Sequence, residues 1–291
     1  MPSIDDLEMH LRAVDDDAPF TTGWSVLDFR TRRRWTKDGA TPVPSASTRK
    51  IAILMACLKE VHVGNLSLDD RVVIEARHQQ NDSGILRSLR PNLTISLYDA
   101  LTLMIIVSDN AGTATVVERV GLHAVNALCE SLGLVGTRHV ASAPANSFLT
   151  SPTPDDLTGI NTVTPDDMIV LLAAIVAGAT DDAAAARIGV TPDLCRLAID
   201  IMEQQQFRHG LPKLLPTGTV VAHKTGGGPS NESDAGIVYH QGKPLYAIAI
   251  YTHHNPVLMP DGSSGRAAAR DHIAAISFAC WNAITAETFS L

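Results

Sequence analysis

Three short polar motifs carry side chains with which a protein can attack a carbonyl carbon. In the first, Ser47 and Lys50 have a spacing that places two side chains on one face of a helix. A cation and a helix amino terminus beside the Ser47 hydroxyl would stabilise the anion that forms as this serine attacks. The other motifs are Ser-Asp-Asn at residues 108–110 and Lys-Thr-Gly at residues 224–226. Each motif alone also fits a structural role, as a helix cap, an inter-helix turn or a strand end.

The elements around the motifs indicate where each one lies. Helical spacing relates the apolar residues after the first motif, so that motif lies at a helix start: Ile51, Leu54, Met55 and Leu58. The second motif separates an apolar helix that ends at residue 107 from a helix that begins at residue 111. The third ends a β-rich run over residues 220–225 and leads into a glycine-rich loop.

Strands are predicted near both ends of the chain and helices between them. The predicted strands are residues 23–29, 32–35, 220–225, 235–240 and 245–252, with a hairpin turn at 241–244. Terminal helices are predicted at residues 1–14 and along an apolar stripe from Ile273 to Ile284, and internal helices begin at Ser96 and at Thr164-Pro165. We therefore predict an α+β fold, with one antiparallel sheet built from both chain ends, flanked by the terminal helices. Residues 1–45 and 216–291 would form this α/β lobe and residues 46–215 an all-helical lobe, with the site in the cleft between them.

Composition excludes several classes of protein and of partner. Of the 291 residues, 45% are hydrophobic and 19% charged, which excludes a disordered chain. A net charge of −8 argues against nucleic acid as a partner. The acidic start of the chain lacks a secretory signal, and the longest apolar run, residues 168–179, is short for a membrane span, so we expect a cytoplasmic protein without membrane association. Four cysteines without a C-x-x-C pair predict buried free thiols, and we expect neither a metal nor a cofactor.

Taken together and in this order, S-x-x-K, S-D-N and K-T-G are the signature set of class A β-lactamases and penicillin-binding proteins. The sequence resembles the class A β-lactamase-like family of penicillin-recognising serine hydrolases over nearly its whole length. Residues 93–110 and the helix start at Thr164-Pro165 share this resemblance. The resemblance implies an α/β sandwich with a helical lobe, and a small-molecule substrate, a β-lactam or another acyl compound, that is attacked through an acyl-serine intermediate.

The resemblance also implies a role for each matching residue. Ser47 would be the nucleophile, Lys50 a neighbouring base or proton carrier, and Ser108 the relay that protonates the leaving nitrogen. Asn110 would bind the amide side chain of the substrate and help to hold Lys50.

The K-T-G strand would bind the other side of the substrate. Lys224 and Thr225 would hold the substrate's carboxylate, Lys224 would support the relay through Ser108, and Gly226 belongs to the same substrate-binding strand. The backbone N–H groups of Ser47 and Gly227 would form the oxyanion hole.

The loop before the Thr164 helix departs from the family pattern. The Glu-x-x-x-Asn segment whose glutamate activates the deacylating water is missing from residues 141–163, and the expected position falls near Phe148. Asp155 and Asp156 are the carboxylates of this loop, and they are either ordinary solvated acids or replacements for the missing glutamate.

Other departures surround the third motif. His223 stands where the family usually has an acidic residue, and no arginine follows in residues 235–251. Glu232 and Asp234 are expected to make the loop after K-T-G acidic, which disfavours a carboxylate. His253 and His254, at the end of the last strand, would line the rim of the cleft or have a structural role.

Machinery for acylation is therefore predicted to be complete, and machinery for rapid deacylation to be absent or relocated. The alternatives that remain are slow β-lactam turnover, an amidase, esterase or peptidase acting on another acyl substrate, and a sensor that acylates without release.

Overall fold

A computed structural model of the chain describes residues 6–16, 18–80, 83–140 and 157–286. Within these residues it contains nine α-helices and a five-stranded antiparallel sheet. Among the described helices, none combines the length and the apolar character that a membrane crossing requires.

Strands from both chain ends form the central sheet, as the sequence predicts. Its order is β2-β1-β9-β8-β7, and every neighbouring pair is antiparallel. The strands are β1 (Thr21–Asp28), β2 (Arg34–Lys37), β7 (Val221–Gly227), β8 (Asn231–His240) and β9 (Lys243–His253). Because β7 lies at the edge, the K-T-G residues are on a strand that has one unpaired side.

Alternating side chains of β9 enter two different cores. Tyr246, Ile248 and Ile250 belong to a buried cluster with helices α1 (Leu7–Asp16) and α9 (Gly265–Ala286). Ala247, Ala249 and Tyr251 belong to a second cluster formed mainly by the helices of the middle of the chain. The sheet is therefore covered on both faces, and its central strand β9 is apolar from residue 245 to residue 251 instead of alternating between apolar and polar residues.

The apolar stripe predicted in the last helix is confirmed. Ile273, Ile276, Cys280 and Ile284 are buried, and Ser277 is buried on the same face. The first helix continues to Asp16, two residues beyond its predicted end.

The middle of the chain is mainly helical. Its helices are α2 (Lys50–His62), α3 (Leu97–Ile106), α4 (Asn110–Val120), α5 (Leu122–Ser131), α6 (Pro165–Gly178), α7 (Asp182–Ile188) and α8 (Pro192–Glu203). Two short antiparallel ladders that the sequence patterns did not reveal accompany them, β3 (Val43–Pro44) with β6 (Thr162–Val163), and β4 (Arg71–Ile74) with β5 (Leu93–Ser96). The division into two lobes at residues 45 and 216 stays a prediction.

Local sequence signals fix several boundaries as expected. Ser96 caps α3 in a capping box with Asp99, and Thr164 caps α6 through the Asp167 N–H at 3.0 Å. The hairpin between β8 and β9 turns on Gln241 (φ 51°) and Gly242 (φ 74°), so its loop has two residues rather than the four predicted.

All four cysteines are buried and free, as predicted.

Candidate active site

The first motif lies on a turn that leads into α2. Ser47 precedes the helix, and its carbonyl accepts from the Lys50 N–H at 3.1 Å, so the two residues lie one tight turn apart. The residue at the cap position is Arg49, which caps with no side-chain hydrogen bond; Ser47 is therefore not the helix cap. Ser47 is half-buried, whereas Lys50 is almost completely buried.

A buried hydroxyl pair fixes this turn against the sheet. The Thr48 hydroxyl donates to the Ser45 carbonyl at 2.7 Å, and the Tyr251 hydroxyl on β9 donates to Thr48 Oγ1 at 3.1 Å. Burial raises the pKa of Tyr251, so the phenol stays protonated and remains a donor. The hydrogen bond from β9 thereby fixes the position of the turn that carries Ser47 relative to the sheet.

Lys50 joins the first two motifs. Its Nζ donates to Ser108 Oγ at 3.1 Å, to the Ser108 carbonyl at 2.8 Å and to Asn110 Oδ1 at 2.8 Å. Residues 58 and 60 positions apart in the chain therefore meet around one ammonium group. This arrangement agrees with the expectation that Asn110 helps to hold Lys50.

Asp109 orders the loop that presents Ser108. It caps α4 by accepting from the Gly112 N–H at 2.9 Å, while its other carboxylate oxygen accepts from the N–H groups of Ile85 at 2.6 Å and Leu86 at 2.8 Å. A Cβ at Gly84 would collide with this carboxylate, and Gly84 has a φ of 103° that favours glycine. One buried carboxylate therefore fixes three backbone groups beside the S-D-N motif.

Two residues of the site have left-handed backbone conformations that are uncommon for side-chain-bearing residues. Ala46, directly before Ser47, has φ 43°, and Ser108 has φ 55°. Conformations of this kind persist only where the surrounding contacts impose them, and they are frequent at reactive sites.

The third motif reaches Ser47 through its glycine. A Cβ placed on Gly226 would lie 2.9 Å from the Ser47 backbone nitrogen and 3.0 Å from Ala46 Cβ. Only a residue without a side chain allows β7 to approach the serine this closely. Gly227 is the next residue of the strand and is exposed. Because Gly226 lies so close to the Ser47 nitrogen, the N–H groups of Gly227 and Ser47 belong to neighbouring segments.

Lys224 is fully buried beside this approach. Its Nζ donates to the Thr225 carbonyl at 2.7 Å. Among the described residues, Lys224 forms no hydrogen bond with Ser108. The direct contact by which Lys224 would support the proton relay, as the resemblance implies, is therefore not present in this structure. Burial lowers the pKa of Lys224 to about 7, and the charge of Asp234 acts in the opposite direction. Thr225 is also buried.

The two acids after K-T-G correct the expectation of an acidic loop. Glu232 and Asp234 lie on β8, opposite Gly227 and Thr225 in the ladder. Glu232 is 3% exposed and pairs with Arg266 at 2.8 Å and with Arg270 at 3.0 Å, both on α9. Burial raises the pKa of Glu232, and the two arginines oppose this shift. Three charged side chains thus carry a net positive charge at the end of the K-T-G strand, although no arginine lies on the strands themselves after residue 234.

His223 on β7 and Asp234 on β8 form a buried pair on one face of the sheet. His223 Nδ1 lies 2.8 Å from Asp234 Oδ1, and both side chains are inaccessible to solvent. The residue type that differs from the family pattern is therefore paired with an acid of the neighbouring strand.

The remaining predicted residues have the following places. His253 ends β9, where it is opposite Thr21 and Asn231, and is buried; His254 follows it at φ 60° and is exposed. Phe148, Asp155 and Asp156 lie outside the described residues. Within the described ranges, no group of three or more His, Cys, Asp or Glu residues is arranged to hold a metal ion.

A model of the beta-lactamase enzyme family matches residues 6–284. The chain belongs to the beta-lactamase enzyme family. A comparison with curated proteins gives no match.

Solved structures share the fold of this family member at low sequence identity. A β-lactamase from Sphaerobacter thermophilus is 23% identical, with a TM-score of 0.81 and 98% of each chain covered. An ancestral class A β-lactamase of Gram-negative bacteria is 22% identical, with a TM-score of 0.80, covering 97% of this chain and 100% of that one. PBP-A is 24% identical, with a TM-score of 0.77, covering 99% of this chain and 97% of that one. A variant of PBP-A is described as an acyl-enzyme complex with penicillin G. These likenesses establish the class A β-lactamase α+β fold.

Proposed function

We propose that this protein is a serine hydrolase that forms an acyl bond on Ser47 with a β-lactam or a related amide or ester. The observation that carries the proposal is the ammonium group of Lys50, which contacts Ser108 Oγ and Asn110 Oδ1 one turn from Ser47. This contact joins Lys50 to Ser108, so that a proton taken from Ser47 by the Lys50 amine could pass through the Ser108 hydroxyl to a leaving group.

In the acylation step, Ser47 Oγ adds to the carbonyl carbon of the substrate. A C–O bond forms, the C–N bond of the amide (or the C–O bond of an ester) breaks, and the serine proton passes by way of Lys50 and Ser108 to the leaving atom. The N–H groups of Ser47 and Gly227 stabilise the oxyanion, and the close approach of Gly226 to the Ser47 nitrogen supports this pairing. Water then hydrolyses the acyl-serine ester.

An anionic substituent of the substrate would lie at the K-T-G end of the site. Lys224 and Thr225 are the residues implied by the resemblance, and Arg266 and Arg270 add positive charge beside Gly227 through their contact with Glu232. The acids on β8 are therefore no obstacle to a carboxylate, because one is neutralised by two guanidinium groups and the other is paired with His223.

We further propose that deacylation is slow towards β-lactams. The sequence of residues 141–163 offers no glutamate to activate water, and only Asp155 and Asp156 as carboxylates. A variant of PBP-A, which shares this fold, is described as an acyl-enzyme complex with penicillin G, and this supports acylation of the fold by a penicillin. A natural substrate other than a β-lactam, or a sensor that retains its acyl group, is the alternative that this loop favours.

Hydrolysis of a chromogenic cephalosporin by the wild type and by Ser47→Ala, measured side by side, tests the proposal. We expect a slow wild-type rate that is lost in the variant. Equal rates in the two proteins, at matched folding by circular dichroism, would exclude Ser47 as the nucleophile. An adduct that persists for hours would favour the sensor, whereas one that decays while product accumulates would favour the enzyme.

A further inference from the structure

A strap formed by residues 205–211 begins at the helix that leads to the S-D-N motif. The Gln206 N–H and Gln205 Nε2 donate to the last two carbonyls of α3, at 3.0 and 2.9 Å respectively. Gln205 is buried, and its Oε1 accepts from the Phe207 N–H at 3.0 Å. Because α3 ends two residues before Ser108, these hydrogen bonds fix the start of the strap close to the proposed proton relay.

The other end of the strap lies against the strand that pairs with the K-T-G strand. The Leu211 N–H donates to Asp234 Oδ2 at 2.9 Å, and a Cβ on Gly210 would collide with the same oxygen. Asp234 is directly opposite Thr225 in the ladder of β7 and β8. The strap therefore spans the distance from the S-D-N motif to the K-T-G motif, and both of its ends are held by hydrogen bonds.

Two aromatic rings occupy the middle of the strap. The ring centroids of Phe207 and His209 are 6.0 Å apart, and the angle between the ring planes is 32°. Phe207 is 36% exposed although the backbone on both sides of it is fixed. Burial and the nearby arginines lower the pKa of His209 to about 4, so its ring is neutral at pH 7. A rigidly held, exposed aromatic ring is suited to bind a flat apolar group.

Positive charge adjoins this aromatic surface. Arg266 donates to the Gly228 carbonyl at 2.6 Å, and both Arg266 and Arg270 pair with Glu232. The charges of the two arginines also act on His209. A group bound at the strap would therefore meet an apolar surface and, next to it, the cationic end of the K-T-G strand.

We propose that the strap receives the leaving group of the substrate, and that this leaving group carries a bulky apolar or aromatic side chain next to its carboxylate. The inference rests on the proposed function, in which Ser108 passes the proton to the leaving atom. The leaving group then lies between Ser108 and the K-T-G strand, which is the gap that the strap spans. Phe207 contacts its side chain, and the K-T-G end attracts its carboxylate. The substrate class is an acylated α-amino or α-hydroxy acid with a large apolar side chain.

Two esters that differ in the leaving group alone test this inference. Hippuryl-phenyllactate and hippuryl-lactate share the acyl part and the carboxylate, but the first also carries a phenyl ring; both enantiomers of each are used. In either reaction Ser47 Oγ bonds to the acyl carbon, the ester C–O bond breaks, and the hydroxy acid leaves with the serine proton. Water then releases hippurate from Ser47.

Binding is measured by isothermal titration calorimetry in Ser47→Ala, which lacks the proposed nucleophile. We expect the preferred phenyllactate ester to bind about tenfold more tightly than the matching lactate ester, since its ring packs on an aromatic side chain. Adding Phe207→Ala should reduce this ratio to about 2 or less. Adding Phe278→Ala instead should leave the ratio near tenfold, because Phe278 is similarly exposed, at 40%, but lies on α9 outside the strap.

Equal binding of the two esters, failure of both to bind, or a ratio that survives Phe207→Ala would overturn the proposal. Mass spectrometry of the wild type with the same esters separates this outcome from failure of the proposed function. If the ratio behaves as expected but Ser47 is not acylated, the leaving-group site stands and the hydrolase does not. If both esters acylate Ser47 and Phe207→Ala does not alter the ratio of their KM values, the hydrolase stands and the leaving-group site does not.

Discussion

Replacement of Lys224 by methionine should make the protein more stable while it disables the site. Methionine has a similar length and no charge, so it removes the cost of burying an ammonium group and leaves no cavity. Asp234 does not become unpaired in this variant, because it keeps its contacts with His223 and with the Leu211 N–H.

The magnitude follows from the pKa of Lys224. Its decrease from 10.5 to about 7 on folding corresponds to about 5 kcal/mol, at about 1.4 kcal/mol per unit. Between these two pH values the unfolded chain binds the proton and the folded protein does not, so the wild type gains stability as the pH rises from 7 to 10.5 and loses it as the pH falls. Lys224→Met lacks this dependence, and its advantage should be largest at pH 7 and below.

Urea unfolding at pH 7 and pH 9.5 measures the effect. We expect the free energy of unfolding of Lys224→Met to exceed that of the wild type by about 2–5 kcal/mol at pH 7 and by about 1 kcal/mol at pH 9.5. The upper values apply if the Lys224 side chain makes no favourable contact that methionine loses. Lys243→Met is the matched control, because Lys243 is exposed at the start of β9, and it should change stability by less than about 0.5 kcal/mol at either pH. A variant less stable than the wild type at pH 7, or an advantage independent of pH, would refute this account of Lys224.

Four further substitutions test other contacts of the site. Lys50→Met should slow acylation of Ser47 by about 10²–10⁴-fold, because it removes the amine through which the proton would pass. Stopped-flow measurement of the reaction with a fluorescent penicillin gives the acylation rate, and a rate within about 2-fold of wild type would contradict the role of Lys50. Gly226→Val should abolish acylation, because the valine side chain would collide with the Ser47 backbone nitrogen, whereas the circular dichroism spectrum should remain native. Normal labelling of Ser47 by penicillin would show that the close approach of β7 to Ser47 is not needed. Glu232→Gln should lower KM for a carboxylate substrate by up to about tenfold with little change in kcat, because the positive charge of Arg266 and Arg270 beside Gly227 is no longer offset by an acid. An unchanged KM would show that the two arginines do not contribute to substrate binding. Asp109→Ala should destabilise the protein by about 2–4 kcal/mol through three unsatisfied N–H groups, and thermal unfolding indistinguishable from wild type would contradict the role assigned to its carboxylate.

Elements with local signals were predictable from the sequence. The Ser96 and Thr164 caps, the turn at Gly242 and the apolar stripe of α9 depend on residues a few positions apart, and the structure shows all of them. The order of the motifs was enough to predict the family, and the β-rich runs near both chain ends predicted the sheet.

Long-range electrostatic pairs were not predictable in the same way. Glu232 looked like an unfavourable acid because its partner Arg270 lies 38 residues later, on a helix whose face towards β8 cannot be derived from spacing alone. The hydrogen bond from the Leu86 N–H to Asp109 joins residues 23 positions apart, on either side of β5 and α3, and no periodic signal predicts it. The tight turn that places Ser47 before α2, instead of at its cap, depends likewise on contacts with the sheet.

The central claim is that Ser47 forms the acyl bond, and intact-protein mass spectrometry after incubation with penicillin G tests it most directly. The account predicts a mass increase equal to one penicillin, located by peptide mapping at Ser47, absent in Ser47→Ala and much slower to form in Lys50→Met. Absence of any adduct at millimolar penicillin in a folded wild-type protein, or an adduct on another residue, would contradict it.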